Sequence, residues 1–233
     1  MKRLSRKPDL MRTTTSDSRM GVIFDLDGVL VDSAWAHKQA WYDLAHKENL
    51  RMTDEFFHDT FGMQNYQIIP MLVGQNVSAE EVDRMGDWKE QRYRQLIADK
   101  LFLADGVEPL LNDLRSKGFL VAIGSSAPRA NLDLLLDRLH ARRYFDVCVT
   151  KEDVRESKPS PQTFLKAAEK LGLPPNRCVV VEDAIPGVEA GKSAGMSIVA
   201  VTTSRKREEL AKADIIVDSL SELNAEDFLK LLA

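Results

Sequence analysis

The sequence predicts an α/β protein in which helices cover both faces of a parallel sheet, with a helical segment inserted after the first strand. Two observations predict this fold. Short β-rich runs alternate with helical patterns after residue 106, and repeated strand-helix units form parallel sheets. Between residues 35 and 102, the strand patterns are replaced by apolar residues at helical spacing.

The first strand is predicted over residues 21–26, an apolar run that ends in acidic residues and glycine. Such a run is typical of a buried parallel strand that opens into a functional loop. Five more strands are predicted, at residues 119–123, 146–149, 178–181, 197–201 and 215–217.

Helices are predicted between these strands, at residues 131–139, 161–171 and 187–194. The second of them has Pro161 in its first turn and ends at Gly172, as helices commonly do.

We therefore predict two units, an α/β core of residues 20–34 and 103–233 and a helical cap of residues 35–102. Residues 1–19 are rich in basic and hydroxyl side chains and poor in apolar ones, which predicts a disordered leader. An organellar transit peptide is an alternative interpretation of this leader, but acidic residues interrupt its composition.

The composition is that of an ordinary soluble protein, with 233 residues, 44% of them hydrophobic, and a formal net charge of -4. The weakly acidic balance predicts no nucleic-acid partner, because nucleic-acid binders present a basic field. No stretch is apolar enough to span a bilayer, and Cys148 and Cys178 lack a CxxC spacing. We predict no membrane partner and a cytoplasmic protein with reduced cysteines. The sequence leaves the oligomeric state open.

Two carboxylates, Asp25 and Asp27, stand at the end of the first predicted strand, and ligands of open parallel sheets bind at the carboxyl ends of strands. Asp25 is a candidate nucleophile, because an ionised carboxylate can attack phosphorus without first losing a proton. Asp27 is a candidate general acid and base, which would protonate the leaving oxygen and then deprotonate the attacking water or hydroxyl. The alternative is that both acids merely end a strand.

Two serines and a lysine follow later strands. Ser125 and Ser126 are candidates to hold phosphate oxygens through hydroxyl and amide groups, where a helix begins near Arg129. Lys158, next to the rigid Pro159, is a candidate to offset repulsion between a carboxylate and a phosphate. The alternatives are a helix cap for the serines and a solvated surface position for the lysine.

Glu182 and Asp183 supply hard oxygen ligands at a further strand end, where they would join Asp25 and the main-chain carbonyl of Asp27 around Mg²⁺. The alternative is that Asp183 only begins a helix, whose dipole favours an acidic residue there.

One segment resembles a nucleotide-binding P-loop, namely GVEAGKS at residues 187–193. The P-loop requires four residues between its glycines, and only three stand here. We therefore predict that these small residues serve helix packing.

The motif DLDGVLVDS at residues 25–33, followed by Ser125, Lys158 and the pair Glu182-Asp183, resembles the four ordered motifs of the haloacid dehalogenase superfamily. The resemblance runs from about residue 20 to the C-terminus. It implies a Rossmann-like core, Mg²⁺ as cofactor and a phosphoaspartate intermediate. The second aspartate of the motif is similar to that of the phosphatases and phosphomutases of this superfamily, so it implies phosphate ester chemistry.

The inserted helices resemble the cap of the subgroup that contains β-phosphoglucomutase and many sugar-phosphate phosphatases. His37, Trp41 and Lys89 are similar to a histidine, a tryptophan and a substrate-contacting lysine of the mutase, which implies that they bind substrate together with Ser126 and Arg129. The alternatives are a histidine that packs within its helix and a lysine on a solvated charged face. Such caps close over substrate, and the hinges would lie near residues 32–34 and 103–106.

Two departures from the mutase bear on the reaction. Residues 62–65, GMQN, lack the arginine that the mutase uses to hold a distal phosphate, and Pro128 replaces a lysine, for which Arg129 is the candidate substitute. The sequence therefore favours a phosphatase that acts on a small phosphorylated metabolite, such as a sugar phosphate. A phosphomutase is the alternative, and a metabolite-binding protein without catalysis is a third hypothesis.

Overall fold

Six parallel strands form one sheet in the structure, a computed structural model that describes residues 19–74 and 76–233. In chain order they are β1 (Gly21–Phe24), β2 (Leu120–Gly124), β3 (Val147–Val149), β4 (Cys178–Glu182), β5 (Ser197–Val201) and β6 (Ile215–Val217). Their order across the sheet is β3-β2-β1-β4-β5-β6. The predicted parallel α/β sheet is confirmed. The predicted leader, apart from Arg19, lies outside the described residues.

β1 lies at the centre of the sheet between β2 and β4 and is buried along its whole length. Val22 packs in the apolar cluster on one face of the sheet and Ile23 in the cluster on the other. The strand is two residues shorter than predicted, because Gly28 turns the chain with a φ of 82° and Asp27 pairs with Val31 instead. Residues that follow β1, β2 and β4 therefore meet at one edge of the sheet.

The α-helices were predicted to alternate with the strands and to fill the insertion. In chain order they are α1 (Ala34–Lys47), α2 (Asp54–Thr60), α3 (Asn65–Val73), α4 (Ala79–Ile97), α5 (Val107–Ser116), α6 (Arg129–Arg138), α7 (Gln162–Leu171), α8 (Ile185–Ser193) and α9 (Ala225–Leu231). The helix predicted over residues 131–139 begins two residues earlier, at Arg129. Pro161 lies just before α7, and Gly172 ends that helix in the left-handed conformation with a φ of 69°.

The inserted segment consists of α1 to α4, which bury an apolar cluster distinct from the two clusters on the sheet faces. Trp41, Leu44 and Met85 belong to this third cluster. No helix in the described part of the chain is long and apolar enough to cross a membrane. The division into core and cap stays a prediction, with which this separate cluster agrees.

The chain enters and leaves the insertion through two adjacent segments. Val31 bridges Leu103 in antiparallel fashion, and the amide of Ala104 donates to the carbonyl of Leu30 over 2.9 Å. This contact lies beside the predicted hinges, whose movement stays a prediction.

The glycines of the P-loop-like segment lie within α8 and face the sheet. A Cβ atom at Gly187 would overlap the carboxylate of Glu182, and one at Gly191 would overlap the side chain of Ile198. Both positions therefore favour a residue without a side chain, and this close packing agrees with the predicted role in helix packing.

The substitution Gly187→Ala is expected to lower the free energy of unfolding by about 1–3 kcal/mol, because the added methyl group must displace a buried carboxylate. Gly86→Ala is the matched control, since a Cβ atom there lies 3.4 Å from its nearest neighbours and alanine favours helix. Urea unfolding followed by circular dichroism compares the two. An unchanged midpoint for Gly187→Ala would contradict the packing described here.

Candidate active site

Asp25 directly follows β1 and is almost fully buried. The ammonium of Lys158, which lies between β3 and α7, donates to Asp25 Oδ1 over 2.7 Å and to Glu182 Oε1 over 2.5 Å. Burial alone would lower the pKa of Lys158, but the neighbouring carboxylates outweigh this effect and raise it. Lys158 is therefore a fixed positive charge beside the predicted nucleophile.

Three carboxylates meet here, because Asp25, Glu182 and Asp183 have oxygens within 4.8 Å of one another. Burial raises the pKa of Asp25 to about 7, and it raises the pKa of Asp183 well above its usual range. The neighbouring carboxylates also raise the pKa of Asp183. One ammonium, that of Lys158, offsets only one of three potential negative charges.

This donor set fits a small divalent cation. Hard carboxylate oxygens are the preferred ligands of Mg²⁺, and a charge of +2 would neutralise the excess of the cluster. Asp25, Glu182 and Asp183 would hold the ion. The side chain of Asp27 is not part of this cluster and accepts a hydrogen bond from Ser33 instead, and the predicted contribution of its main-chain carbonyl stays a prediction.

Local structure fixes the cluster on both sides. Glu182 Oε2 accepts hydrogen bonds from the amides of Asp183 and Ala184, over 2.9 and 3.0 Å. Gly28 lies against Asp183, and a Cβ atom at that glycine would overlap the Asp183 carboxylate. The glycine of the sequence motif is therefore required both for its positive φ and for the close approach of the metal-ligand candidate.

The substitution Asp183→Asn is expected to raise the melting temperature in the presence of a chelator, because folding no longer has to bury or protonate a carboxylate whose pKa burial raises. The same variant is expected to lose most of the stabilisation that Mg²⁺ gives to the wild type. Scanning calorimetry with and without Mg²⁺ measures both effects. If Asp183→Asn melted lower in chelator and kept the Mg²⁺ shift, the cluster would not be a cation site.

Asp25 also predicts a pH dependence of stability in chelator. Its pKa in the folded protein is raised from 3.8 to about 7, so its contribution to stability is complete below 3.8 and is lost as the pH rises through about 7. The free energy of unfolding of the wild type, relative to Asp25→Asn, is therefore expected to fall across this interval. Urea titrations at several pH values measure this difference in the free energy of unfolding. A difference that increases with pH would contradict the prediction.

Asp27 accepts three hydrogen bonds at Oδ1. The donors are the Ser33 hydroxyl over 2.6 Å, the Tyr93 hydroxyl over 3.0 Å and His37 Nε2 over 3.1 Å. Burial alone would raise the pKa of Asp27, but these donors outweigh it and lower the pKa to about 2. Asp27 is thus a carboxylate at neutral pH, which suits a base. A phosphate dianion nearby would raise its pKa and favour the protonated form that an acid needs.

The two serines follow β2 at the same edge of the sheet. Ser125 Oγ accepts a hydrogen bond from the amide of Ala127 over 3.0 Å, which leaves its hydroxyl proton free. Ser126 Oγ is buried and has no hydrogen-bond partner within the described parts of the chain. A buried hydroxyl without a partner is costly, so both groups are suited to hold phosphate oxygens.

A cavity of about 210 Å³ lies between this edge of the sheet and the inserted helices. The core residues predicted for catalysis and metal binding line it, namely Asp25, Asp27, Ser125, Lys158, Glu182 and Asp183. Three further predicted residues line it from the insertion, namely His37, Trp41 and Lys89, and Ser126 lines it from the core. The structure thus brings together all of these predicted positions, although their roles remain predictions.

Lys89 is already engaged by protein partners. Its ammonium contacts His37 Nδ1 and Glu90 Oε1, each over 2.9 Å, and lies 5.2 Å from the ring centroid of Trp41. An ammonium has three protons, so one remains for a substrate.

The structure does not bring Arg129 to the cavity. Its guanidinium pairs with Asp153 over 2.7 Å, and its amide donates to the carboxylate of Glu152. Lys151 lines the cavity instead and has no ion-pair partner within residues 19–74 and 76–233. The ion pair with Asp153 therefore holds the guanidinium of Arg129 away from the cavity, although Arg129 lies near the serine loop.

Sequence reasoning missed the residues that surround Asp27 and Lys89, namely Ser33, Tyr93, Glu90 and Asn131. One signal was present, because Lys89 and Tyr93 are four residues apart and share a face of α4. Asn131, which donates a hydrogen bond to Glu90, lies 41 residues away in α6, and no local pattern connects the two.

An α/β sheet with paired carboxylates, a buried lysine and an acidic cluster at one edge defines a class of hydrolase. Residues 20–195 match the family model described as haloacid dehalogenase-like hydrolase. The chain therefore belongs to this family, and the predicted membership is confirmed.

Relatives with named activities are similar over most of the chain. Fructose-1-phosphate phosphatase of Escherichia coli is 31% identical over 185 residues, which cover 78% of this chain and 95% of that protein. The chloroplastic 5-amino-6-(5-phospho-D-ribitylamino)uracil phosphatase of Arabidopsis thaliana is 32% identical over 232 residues, which cover 97% of this chain and 62% of that protein. These phosphatase names agree with the predicted phosphoric monoester hydrolase, and the prediction of an enzyme is confirmed.

Solved structures share the fold. The crystal structure of β-phosphoglucomutase from Clostridium difficile aligns with a TM-score of 0.83 at 30% identity, over 92% of this chain and 97% of that one. The predicted similarity to β-phosphoglucomutase is thereby confirmed at the level of fold and sequence.

Proposed function

We propose that the chain is a Mg²⁺-dependent phosphatase that acts on a small phosphorylated metabolite, a sugar phosphate above all, through a phosphoaspartate at Asp25. The single observation that best supports this proposal is the pairing of Asp25 with the fixed charge of Lys158 inside a covered cavity. Repulsion between a carboxylate and a phosphate dianion opposes this attack, and a buried cation offsets it.

The reaction has two half-reactions. In the first, Asp25 would attack phosphorus while Asp27 gives a proton to the leaving oxygen. In the second, Asp27 would take a proton from water as the water attacks the phosphorylated Asp25 and releases inorganic phosphate. A bound Mg²⁺ would supply charge neutralisation between the carboxylates and the phosphate. Ser125 and Ser126 would hold the remaining phosphate oxygens.

The size of the cavity supports a small substrate. Its 210 Å³ lies below the ~300–1,000 Å³ of sites that hold drug-sized ligands. Two similar proteins are named for phosphatase activity on phosphorylated sugars or a phosphorylated ribityl compound, which also favours a polyol or sugar leaving group. We place His37, Trp41 and Lys89 next to the leaving group, and we propose a cytoplasmic location.

A phosphomutase is the second candidate, because the chain resembles a β-phosphoglucomutase over nearly its whole length. In that case a sugar hydroxyl, rather than water, would accept the phosphoryl group from Asp25. No arginine lines the cavity among the residues that the structure describes, so a distal phosphate lacks the bidentate partner that an arginine would give a bisphosphate intermediate.

Incubation with β-glucose 1-phosphate, Mg²⁺ and a trace of glucose 1,6-bisphosphate separates the two reactions. The phosphatase proposal predicts inorganic phosphate without glucose 6-phosphate, and accumulation of glucose 6-phosphate would favour the mutase. A phosphate-release screen across sugar phosphates and polyol phosphates then ranks substrates by kcat/KM. Binding of these compounds without any turnover in Mg²⁺ would instead favour the metabolite-binding protein.

A further inference from the structure

A continuous chain of hydrogen bonds joins α6 of the core to Asp27 through the inserted helices. Asn131 Nδ2 donates to Glu90 Oε2 over 2.6 Å, and Lys89 Nζ donates to Glu90 Oε1 over 2.9 Å. Lys89 Nζ also contacts His37 Nδ1 over 2.9 Å, and His37 Nε2 contacts Asp27 Oδ1 over 3.1 Å. Asn131, Glu90, Lys89 and His37 are each at least nine-tenths buried, with exposed fractions of 0%, 6%, 3% and 9%.

The direction of these hydrogen bonds is fixed by chemistry. An ammonium can only donate, so His37 Nδ1 must accept from Lys89 and the ring proton must lie on Nε2. That proton then points to Asp27 Oδ1. The contact between Lys89 and His37 therefore selects the tautomer that donates to Asp27. A stacked contact with Tyr93, at 3.8 Å between ring centroids, holds the imidazole plane.

Glu90 in turn fixes the position of Lys89. Its carboxylate is buried, and Asn65 Nδ2 adds a further hydrogen bond to Oε1 over 2.9 Å. Burial alone would raise the pKa of Glu90, but the charge of Lys89 and the hydrogen bonds of Lys89 and Asn131 outweigh it and hold the pKa below its usual range. Glu90 is therefore a buried anion that needs its donors.

Asn131 is the one member of this chain that belongs to α6, the helix that follows the serine loop. Its amide oxygen accepts from Arg94 Nη1 over 2.8 Å, so both ends of the amide contact α4. The amide orientation follows, because a carboxylate requires the NH₂ end and a guanidinium requires the oxygen. Loss of the NH₂ end would leave Glu90 Oε2 buried without a donor.

We propose that Glu90 and Asn131 are positioning residues for the acid/base step. Their contact across the boundary between α4 and α6 holds Lys89 against His37, and thereby aims the Nε2 proton of His37 at Asp27. The proton transfers of Asp27 thus depend on the packing of α4 against α6, the helix that follows Ser125 and Ser126. This inference rests on the proposed acid/base role of Asp27.

Near-isosteric variants test the contact. Asn131→Asp opposes two carboxylates. Glu90→Gln removes the charge that faces Lys89 and sets one amide NH₂ group against another donor, either that of Asn131 or the ammonium of Lys89. Each is expected to lower kcat for a sugar phosphate by about 10- to 100-fold, because a small misplacement of a catalytic group has effects of this size. KM is expected to change less than kcat. The double variant Glu90→Gln/Asn131→Asp restores a donor facing an acceptor and is expected to recover most of kcat.

A second readout does not depend on turnover. In ¹⁵N spectra of the His37 imidazole, the wild type is expected to show the form protonated at Nε2. The variants Asn131→Asp and Glu90→Gln are expected to shift towards a mixture of forms, and the double variant towards the wild type. If the chain proved not to be a phosphatase, this spectrum would still test the contact, so the two failures are distinguishable.

Arg92→Gln is the matched control, because Arg92 lies on the same helix and pairs with Asp43 over 2.6 Å, outside this chain of bonds. It is expected to leave the His37 spectrum and kcat close to those of the wild type. Wild-type kcat and an unchanged His37 spectrum in both single variants would overturn the proposal. An equal loss of kcat in Arg92→Gln would also overturn it, since a general loosening of α4 would then explain the effect. If Asn131→Asp failed to fold, Glu90→Gln alone would decide between these outcomes.

Discussion

Asp25→Asn is expected to lower kcat for any phosphoester substrate by about 10⁴-fold or more, because an amide cannot form the acyl phosphate. The substitution preserves the shape of the side chain beside Lys158. Phosphate release under saturating substrate and Mg²⁺ measures the effect.

Asp99→Asn is the control for this experiment, since it removes an equal charge from an exposed position outside the cavity. It is expected to retain wild-type turnover. Activity of Asp25→Asn within about tenfold of the wild type would show that another group attacks phosphorus.

Asp27→Asn is expected to separate the two half-reactions. For a sugar phosphate, which needs protonation of its leaving oxygen, turnover is expected to fall by about 10²- to 10⁴-fold. For p-nitrophenyl phosphate, whose leaving group needs no proton, the first half-reaction is expected to continue. The variant should therefore release p-nitrophenol in a burst close to one equivalent and then stop, because no base activates water.

Stopped-flow absorbance follows the burst. Ser33→Ala is a useful companion variant, since it removes one of the three donors to Asp27 and leaves the carboxylate in place. It is expected to retain turnover at a reduced rate. Steady turnover of p-nitrophenyl phosphate by Asp27→Asn, at the wild-type rate, would contradict a role for Asp27 in the second half-reaction.

The sheet and the residues at its edge could be predicted because their signals are local. Each apolar run is short and ends in a polar residue, and parallel strands place such ends side by side. Lys158 contacts Asp25, which is 133 residues away, and Glu182, which is 24 residues away. Each of the three residues nevertheless follows or adjoins a strand that the sequence identifies. The resemblance of these motifs to the haloacid dehalogenase superfamily implied the same positions.

The surroundings of Asp27 could not be predicted in the same way. The contact between Asn131 and Glu90 joins two helices 41 residues apart, and the contact between Lys89 and His37 spans 52 residues. These contacts depend on how one helix packs against another, and no short sequence pattern predicts that packing. Arg129 shows the opposite error, because proximity to the serine loop suggested a site residue while an ion pair 24 residues away holds its side chain elsewhere.

The most direct test of a phosphoaspartate at Asp25 uses the stalled Asp27→Asn variant. The variant is mixed with p-nitrophenyl phosphate and Mg²⁺, quenched in acid at the end of the burst, digested and examined by mass spectrometry. We predict one phosphoryl group on Asp25, removed by hydroxylamine as expected for an acyl phosphate. A phosphoryl group on Ser125 or Ser126, or a full burst without any phosphorylated peptide, would contradict the role assigned to Asp25.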